Sequence, residues 1–181
     1  SSAQAPPPPQ EGVPEFGPDG RIYPGTCRHR SLSQARPGDA LRLDMRKAVK
    51  ALQKPVTYEE FGEQHSKRIT LKAEALIAQV GDVVLRRKDQ GAAYHLAVVI
   101  DDDAQNITDV VRGADLNAAT QIHVVLQQLL NIPTPRYHHH SLIRDETGKR
   151  LAKRSDSEAL SSLRKAGHSA QDITERLFSA P

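Results

Sequence analysis

A single cysteine in 181 residues leaves no internal disulfide framework and points to a reducing compartment, the cytoplasm. No apolar run approaches the length that crosses a bilayer, so no integral membrane protein and no membrane partner is expected. Residues 1–10 lack the basic, apolar, small-residue order of a signal peptide and carry four consecutive prolines instead. Strong charge of either sign is also missing. Lys and Arg number 25 against 22 Asp and Glu, a net +3 that suits an acidic partner such as RNA without demanding one. No internal repeat is visible. What remains, 38% hydrophobic and 26% charged, describes a soluble globular protein with one core, or one core and a small module.

Four segments are expected. Residues 1–22, rich in Pro, Gly, Ala and acidic side chains, read as a flexible, loop-like segment. Residues 23–80 read as a connecting module. It opens on the turn Tyr23-Pro-Gly-Thr-Cys-Arg28, where proline fixes one backbone angle and glycine frees the next. A short helical stretch and an extended alternation up to Met45 follow, and residues 46–80 have weak periodicity and read as irregular. In residues 81–145 the pattern sharpens, with strands expected over 82–87, 94–100 and 108–112. The second of these is almost continuously apolar, as in a strand covered on both faces, and ends abruptly at Asp101–Asp103. Ala119, Ile122, Val125, Leu126, Leu129 and Leu130 then form one apolar helical stripe, stopped by Asn131 and Pro133. With Tyr137–Ile143 extended, the strand–helix–strand order favours a parallel α/β sheet. Residues 146–181 hold a basic loop and a short helical tail. One helix is expected from near Asp156 to a left-handed cap at Gly167, the other from Ser169 with Asp172 three residues on.

Chemistry concentrates first in Asp145-Glu-Thr-Gly-Lys-Arg-Leu-Ala-Lys-Arg154. A glycine followed by four basic residues within six positions makes a positive loop that can fold over polyphosphate, placing an ammonium where negative charge builds during nucleotidyl transfer. A solvated basic turn has the same composition.

Position separates the two. Arg136–Arg154 resembles the lysine-loop region of glutamyl-type class I aminoacyl-tRNA synthetases, where a Lys-Leu-Ser-Lys-Arg motif follows a strand and an Asp-x-x-Gly turn. Here the motif stands as Arg150-Leu-Ala-Lys-Arg154, with Arg150 for the first lysine and Ala152 for the serine. The resemblance implies that Lys153 is catalytic, stabilising the ATP phosphates as an adenylate forms, with Arg150, Leu151, Ala152 and Arg154 around the nucleotide. Upstream, Ala93–Asp102 is similar to the family's Tyr-x-x-Ala-x-Val-Val-Asp-Asp strand, and Ile107–Leu116 to its Thr-His-Val-x-Arg-Gly segment. By that match Tyr94 and Arg112 bind glutamate. A guanidinium offers paired donors to a carboxylate, and a phenol supplies a directed hydrogen bond.

Val98, where glutamyl-tRNA synthetases carry Asn, and the few residues after Ser155 resemble a shorter branch, the glutamyl-queuosine tRNA(Asp) synthetases. That branch implies L-glutamate, ATP with Mg2+, and tRNA(Asp) containing queuosine as partners, with glutamate passed to the queuosine base. Tyr23 and Cys27 are similar to the second half of the branch's zinc site, Cys-x-Cys then Tyr-x-x-x-Cys, and so imply Zn2+ with its first cysteine pair missing. His138–His140 cannot converge on one ion, because adjacent strand positions face opposite ways. They read as structural, with one ring near the ATP site. Asp101–Asp103 read as structural acids, with Asp102 as a magnesium candidate.

The family's His-x-Gly-His motif does not occur in the sequence. The expectation is therefore an α/β fold, the second half of a class I Rossmann-type catalytic domain. A connecting, zinc-like module precedes it and a short helical tail follows. Two other readings stand beside it. One is a fragment of a glutamyl-tRNA synthetase charging the tRNA 3′ end, the other a non-catalytic RNA- or protein-binding remnant.

Overall fold

The computed structural model describes residues 16–52, 54–62, 66–87, 91–144 and 159–178. A small hairpin, β1 (Phe16–Gly17) and β2 (Gly20–Arg21), is followed by β3 (Leu41–Leu43) and α1 (Met45–Ala51). Asp44 caps α1 by accepting the Lys47 N–H. A long hairpin of β4 (Val56–Phe61) and β5 (Ser66–Leu71) comes next, then α2 (Ala73–Ala75), which continues as a π-helical turn over Leu76–Val80. β6 (Val83–Arg87) and β7 (Gly91–Ala92) lead into α3 (Tyr94–Ala104), β8 (Asp109–Gly113), α4 (Asn117–Leu130) and β9 (Arg136–His140). α5 (Leu160–Lys165) and α6 (Ala170–Phe178) close the order.

The chain divides into two compact units: residues up to Arg112 with Leu116–His139, and Gly113–Asp115 with His140 onward. The first holds the core, where α4 lays Ile122, Val124, Val125 and Leu126 against Met45, Val56, Tyr58, Leu76, Val99 and Tyr137. Its main sheet runs β5-β4-β9-β8, with β4 antiparallel to β5 and parallel to β9. In the second unit, Gly167 adopts φ +93° after α5, and Ser169 and Asp172 form a reciprocal cap at the start of α6.

The helical stripe of α4 and the strands β8 and β9 stand where the sequence places them. Asn131 ends α4 in the left-handed region at φ 55°. Three expectations are corrected. Residues 46–80 are not irregular but carry α1, the β4–β5 hairpin and α2. Their signal is faint because β5 buries no side chain and β4 buries only Val56 and Tyr58. Residues 94–100 are helix, not strand. His95 and Val99, four apart, face inward, and a continuous apolar run does not by itself distinguish the two structures. The three aspartates therefore lie in the last turn of α3 rather than beyond a strand. Finally, β6 pairs antiparallel with β3 and β7, in a sheet separate from β8 and β9.

The π-helical turn ends at Gly81, φ +69°, where a Cβ would stand 2.8 Å from the Ile22 side chain. That turn delivers buried Asp82, whose carboxylate accepts from Arg28 Nε (3.1 Å) and a terminal guanidinium nitrogen (2.8 Å), and from the Met45 N–H (3.0 Å). One side chain thus joins the first turn of α1 to the loop after Tyr23. We predict that Asp82→Ala lowers stability by about 3 kcal/mol, since it strands a buried N–H and leaves the Arg28 guanidinium only a 3.9 Å contact with Asp44. Urea denaturation measures it, and an unshifted midpoint would refute the anchoring role.

Candidate active site

Periodicity brings the polar groups of the first unit to one place. α4 presents Thr120, His123 and Gln127 at three- and four-residue steps, all buried. β9 presents Tyr137 and His139 two residues apart, and β4 does the same with Tyr58 and Glu60. The β4–β9 register sets Glu60 beside Tyr137. Arg112, near the C-terminal end of β8, extends its guanidinium into the middle.

That guanidinium donates in three directions. Nε reaches His139 Nε2 (3.3 Å), one terminal nitrogen reaches His123 Nδ1 (3.2 Å), and the other reaches Thr120 Oγ1 (2.5 Å). It also lies over the Tyr137 ring, 5.2 Å from the centroid, a favourable cation–π placement. Behind the first contacts stand carboxylates. His139 Nδ1 is 2.9 Å from Glu60 Oε1. His123 Nε2 is 3.0 Å from His95 Nδ1, and His95 Nε2 is 3.3 Å from Asp19 Oδ1. Asp19 also accepts the Val84 N–H at 3.2 Å. Burial raises its carboxyl, but the His95 and Val84 hydrogen bonds outweigh that and hold it below the usual range.

Burial, then the Arg112 charge, then His95 push His123 down to about 3, so it is neutral at ordinary pH. Burial, with Glu60 beside it, pushes Tyr58 up to about 12. The Asp102 carboxyl is raised by burial, lowered by Arg112 and raised by Asp101, with a net upward shift.

Tyr94 joins the same cluster. It is the first residue of α3, half exposed, and its ring meets those of His95 and His123 edge-on at 5.4 and 5.9 Å. It does not stand at a strand end, as the sequence suggests, because its segment is helical. The two residues matched to glutamate binding are therefore gathered around one histidine. Lys153, Arg150, Leu151, Ala152 and Arg154 lie outside the described residues.

His138, His139 and His140 diverge as strand geometry requires. His138 contacts the Phe61 carbonyl, His139 the arginine, and His140 the Ser141 carbonyl. The sequence reading, structural with one ring near the ATP site, does not single out His139 as the ring that meets the arginine. Also missed are His95, His123, Thr120, Glu60 and Asp19. The available signal was Thr120 and His123 interrupting the apolar stripe of α4.

Tyr23 and Cys27 do come together, the Cys27 N–H donating to the Tyr23 hydroxyl at 2.7 Å. Gly25 at φ +87° makes the turn. Zinc takes four donors, however, and among the described residues no three His, Cys, Asp or Glu side chains converge. The zinc expectation is therefore not supported.

The family model of class I tRNA synthetases (E and Q), catalytic domain, matches residues 40–178. The chain belongs to that family. Among curated relatives, the glutamyl-Q tRNA(Asp) synthetase of Rhodobacter capsulatus is 51% identical over 91% of this chain and 59% of its own length. That of Albidiferax ferrireducens is 38% identical over 77% and 48%. The chain thus spans about half the length of these relatives. A solved glutamate tRNA ligase from Elizabethkingia meningosepticum, in complex with its amino acid, is 24% identical over 74% of this chain and 21% of that one. Its TM-score of 0.40 adds nothing to the family match.

The depressed His123 gives this synthetase-family fold a pH signature. An unfolded histidine takes up a proton near pH 6.5 while the folded one resists to about 3, so stability is full above 6.5 and declines as pH falls below it. Between pH 6.5 and 5 the expected loss is about 2 kcal/mol. His123→Gln should flatten that slope in urea titrations at each pH, and an equal slope in the variant would contradict the assignment.

Proposed function

We propose that this chain is part of a ligase that activates glutamate with ATP and Mg2+ and passes it to the queuosine base of tRNA(Asp). The observation that carries the reading is Arg112. Among the described contacts it uses three of its five N–H groups, leaving one on each terminal nitrogen to donate to a carboxylate. Tyr94 stands on the same cluster with an exposed phenol. A guanidinium clamped on a carboxylate damps its nucleophilicity, so Arg112 suits the glutamate side chain and leaves the α-carboxylate to react.

In that reaction an α-carboxylate oxygen attacks the α-phosphorus of ATP. The new bond is the acyl phosphate of glutamyl-adenylate, the bond between the α-phosphorus and the bridging oxygen breaks, and pyrophosphate leaves. A hydroxyl of the queuosine base then attacks the acyl carbon and releases AMP. Lys153 is assigned to the charge building on the phosphates, with Arg150, Leu151, Ala152 and Arg154 around them. The names of the two relatives support the queuosine acceptor, as does Val98 on α3.

The test is glutamate-dependent pyrophosphate–ATP exchange by the natural gene product, followed by labelling of tRNA(Asp) with and without queuosine. Exchange, and labelling only of the queuosine-containing tRNA, are expected. Absence of exchange removes the activation step, and queuosine-independent labelling replaces the acceptor with the tRNA 3′ end. Arg112→Lys keeps the charge but loses the fork, and should raise the KM for glutamate about 100-fold with the KM for ATP unchanged.

A further inference from the structure

Arg112 offers donors only, and an ionised Asp19 offers acceptors only. Between these ends lie two imidazoles in series. Because the guanidinium donates to His123 Nδ1, that nitrogen carries a lone pair, and the single proton of neutral His123 sits on Nε2. Nε2 faces His95 Nδ1 at 3.0 Å, so His95 Nδ1 is in turn the acceptor, and its proton sits on Nε2, 3.3 Å from Asp19 Oδ1. No other distribution of protons satisfies all three contacts. A parallel path leaves the other edge of the guanidinium. Nε donates to His139 Nε2, and His139 Nδ1–H donates to Glu60.

We propose that Asp19, His95 and His123 are positioning residues for Arg112. Together they form a chain of neutral imidazoles with one direction of hydrogen bonding, which fixes the aim of the guanidinium. Asp19 and His95 do not touch the guanidinium, and His123 meets it at one terminal nitrogen. Asp19, between β1 and β2 and pinned by the Val84 N–H, selects the tautomer of His95, and His95 selects that of His123. Without the carboxylate both rings are released to the opposite tautomer. A His123 Nδ1–H would then confront the guanidinium donor and turn it. This role rests on the reading of Arg112 as a glutamate-binding residue, whereas the direction of hydrogen bonding does not.

The experiment uses the natural gene product labelled with 15N-histidine. Long-range proton–nitrogen correlation at neutral pH should find His95 and His123 protonated at Nε2 and His139 at Nδ1. An imidazolium at either His95 or His123, or Nδ1–H at His123, would falsify the relay without any variant being made. Calorimetry with L-glutamate then tests the positioning role. Asp19→Ala should weaken binding roughly ten-fold and mix the tautomers. Asp19→Asn sets its amide NH2 against either the Val84 N–H or His95, so its binding should follow the tautomer found at His123: within about two-fold of the parent where Nε2–H persists, and near that of Asp19→Ala where it does not. Weakened binding with the His123 tautomer unchanged, or no loss in Asp19→Ala, overturns the role. Should Asp19→Ala not fold, Asp19→Ser takes its place under the same criteria. If the parent binds no glutamate, the proposed function and the positioning role fail together, while the spectra still decide the relay.

Discussion

A guanidinium has no lone pair to give, and placing one half inside a protein forces every neighbour to be an acceptor. That constraint organises the first unit. β8 supplies the cation, α4 a hydroxyl and an imidazole, β9 a second imidazole and a ring face, and β4 a carboxylate. Each imidazole accepts on one side only because a group beyond it takes its proton. The arginine therefore sets the identity of residues two contacts away. The parallel pairing of β4 with β9 matters for the same reason, since it puts Glu60 within reach of His139 across two elements far apart in sequence.

Electrostatically the arrangement is a cation flanked by remote anions and insulated by neutral rings. Asp19 and Glu60 balance Arg112 without contacting it, so the charge keeps its field toward the open side. The acidic end of α3 contributes as well. Three carboxylates at a helix C-terminus oppose the helix dipole. Asp102, whose carboxyl burial raises, is lowered in turn by Arg112.

Elements that bury one regular face were legible in the sequence. α4 announces itself by its stripe and its Asn131 stop, and Arg112 by the Arg-Gly segment around it. Two kinds of feature were not legible. α3 has apolar residues all round its middle, with Ile100 exposed, and a run of that kind carries no period. The β4–β5 hairpin buries too little to show its alternation. The histidine relay was hidden for another reason. His95 and His123 stand 28 positions apart and meet only because α3 and α4 pack together, and no local pattern encodes a partner at that distance. The lysine loop was the loudest signal in the sequence and lies outside the described residues.

Asp82 has a consequence for how the chain is made. Its carboxylate holds Arg28, 54 residues earlier, and the first turn of α1, 37 residues earlier. On a ribosome both segments emerge long before the group that fixes them. The Tyr23–Cys27 turn therefore waits, unanchored, for most of the synthesis of α1, β4, β5 and α2. Locking it requires closing a long loop, so its timing follows the emergence of the π-helical turn and not its own sequence.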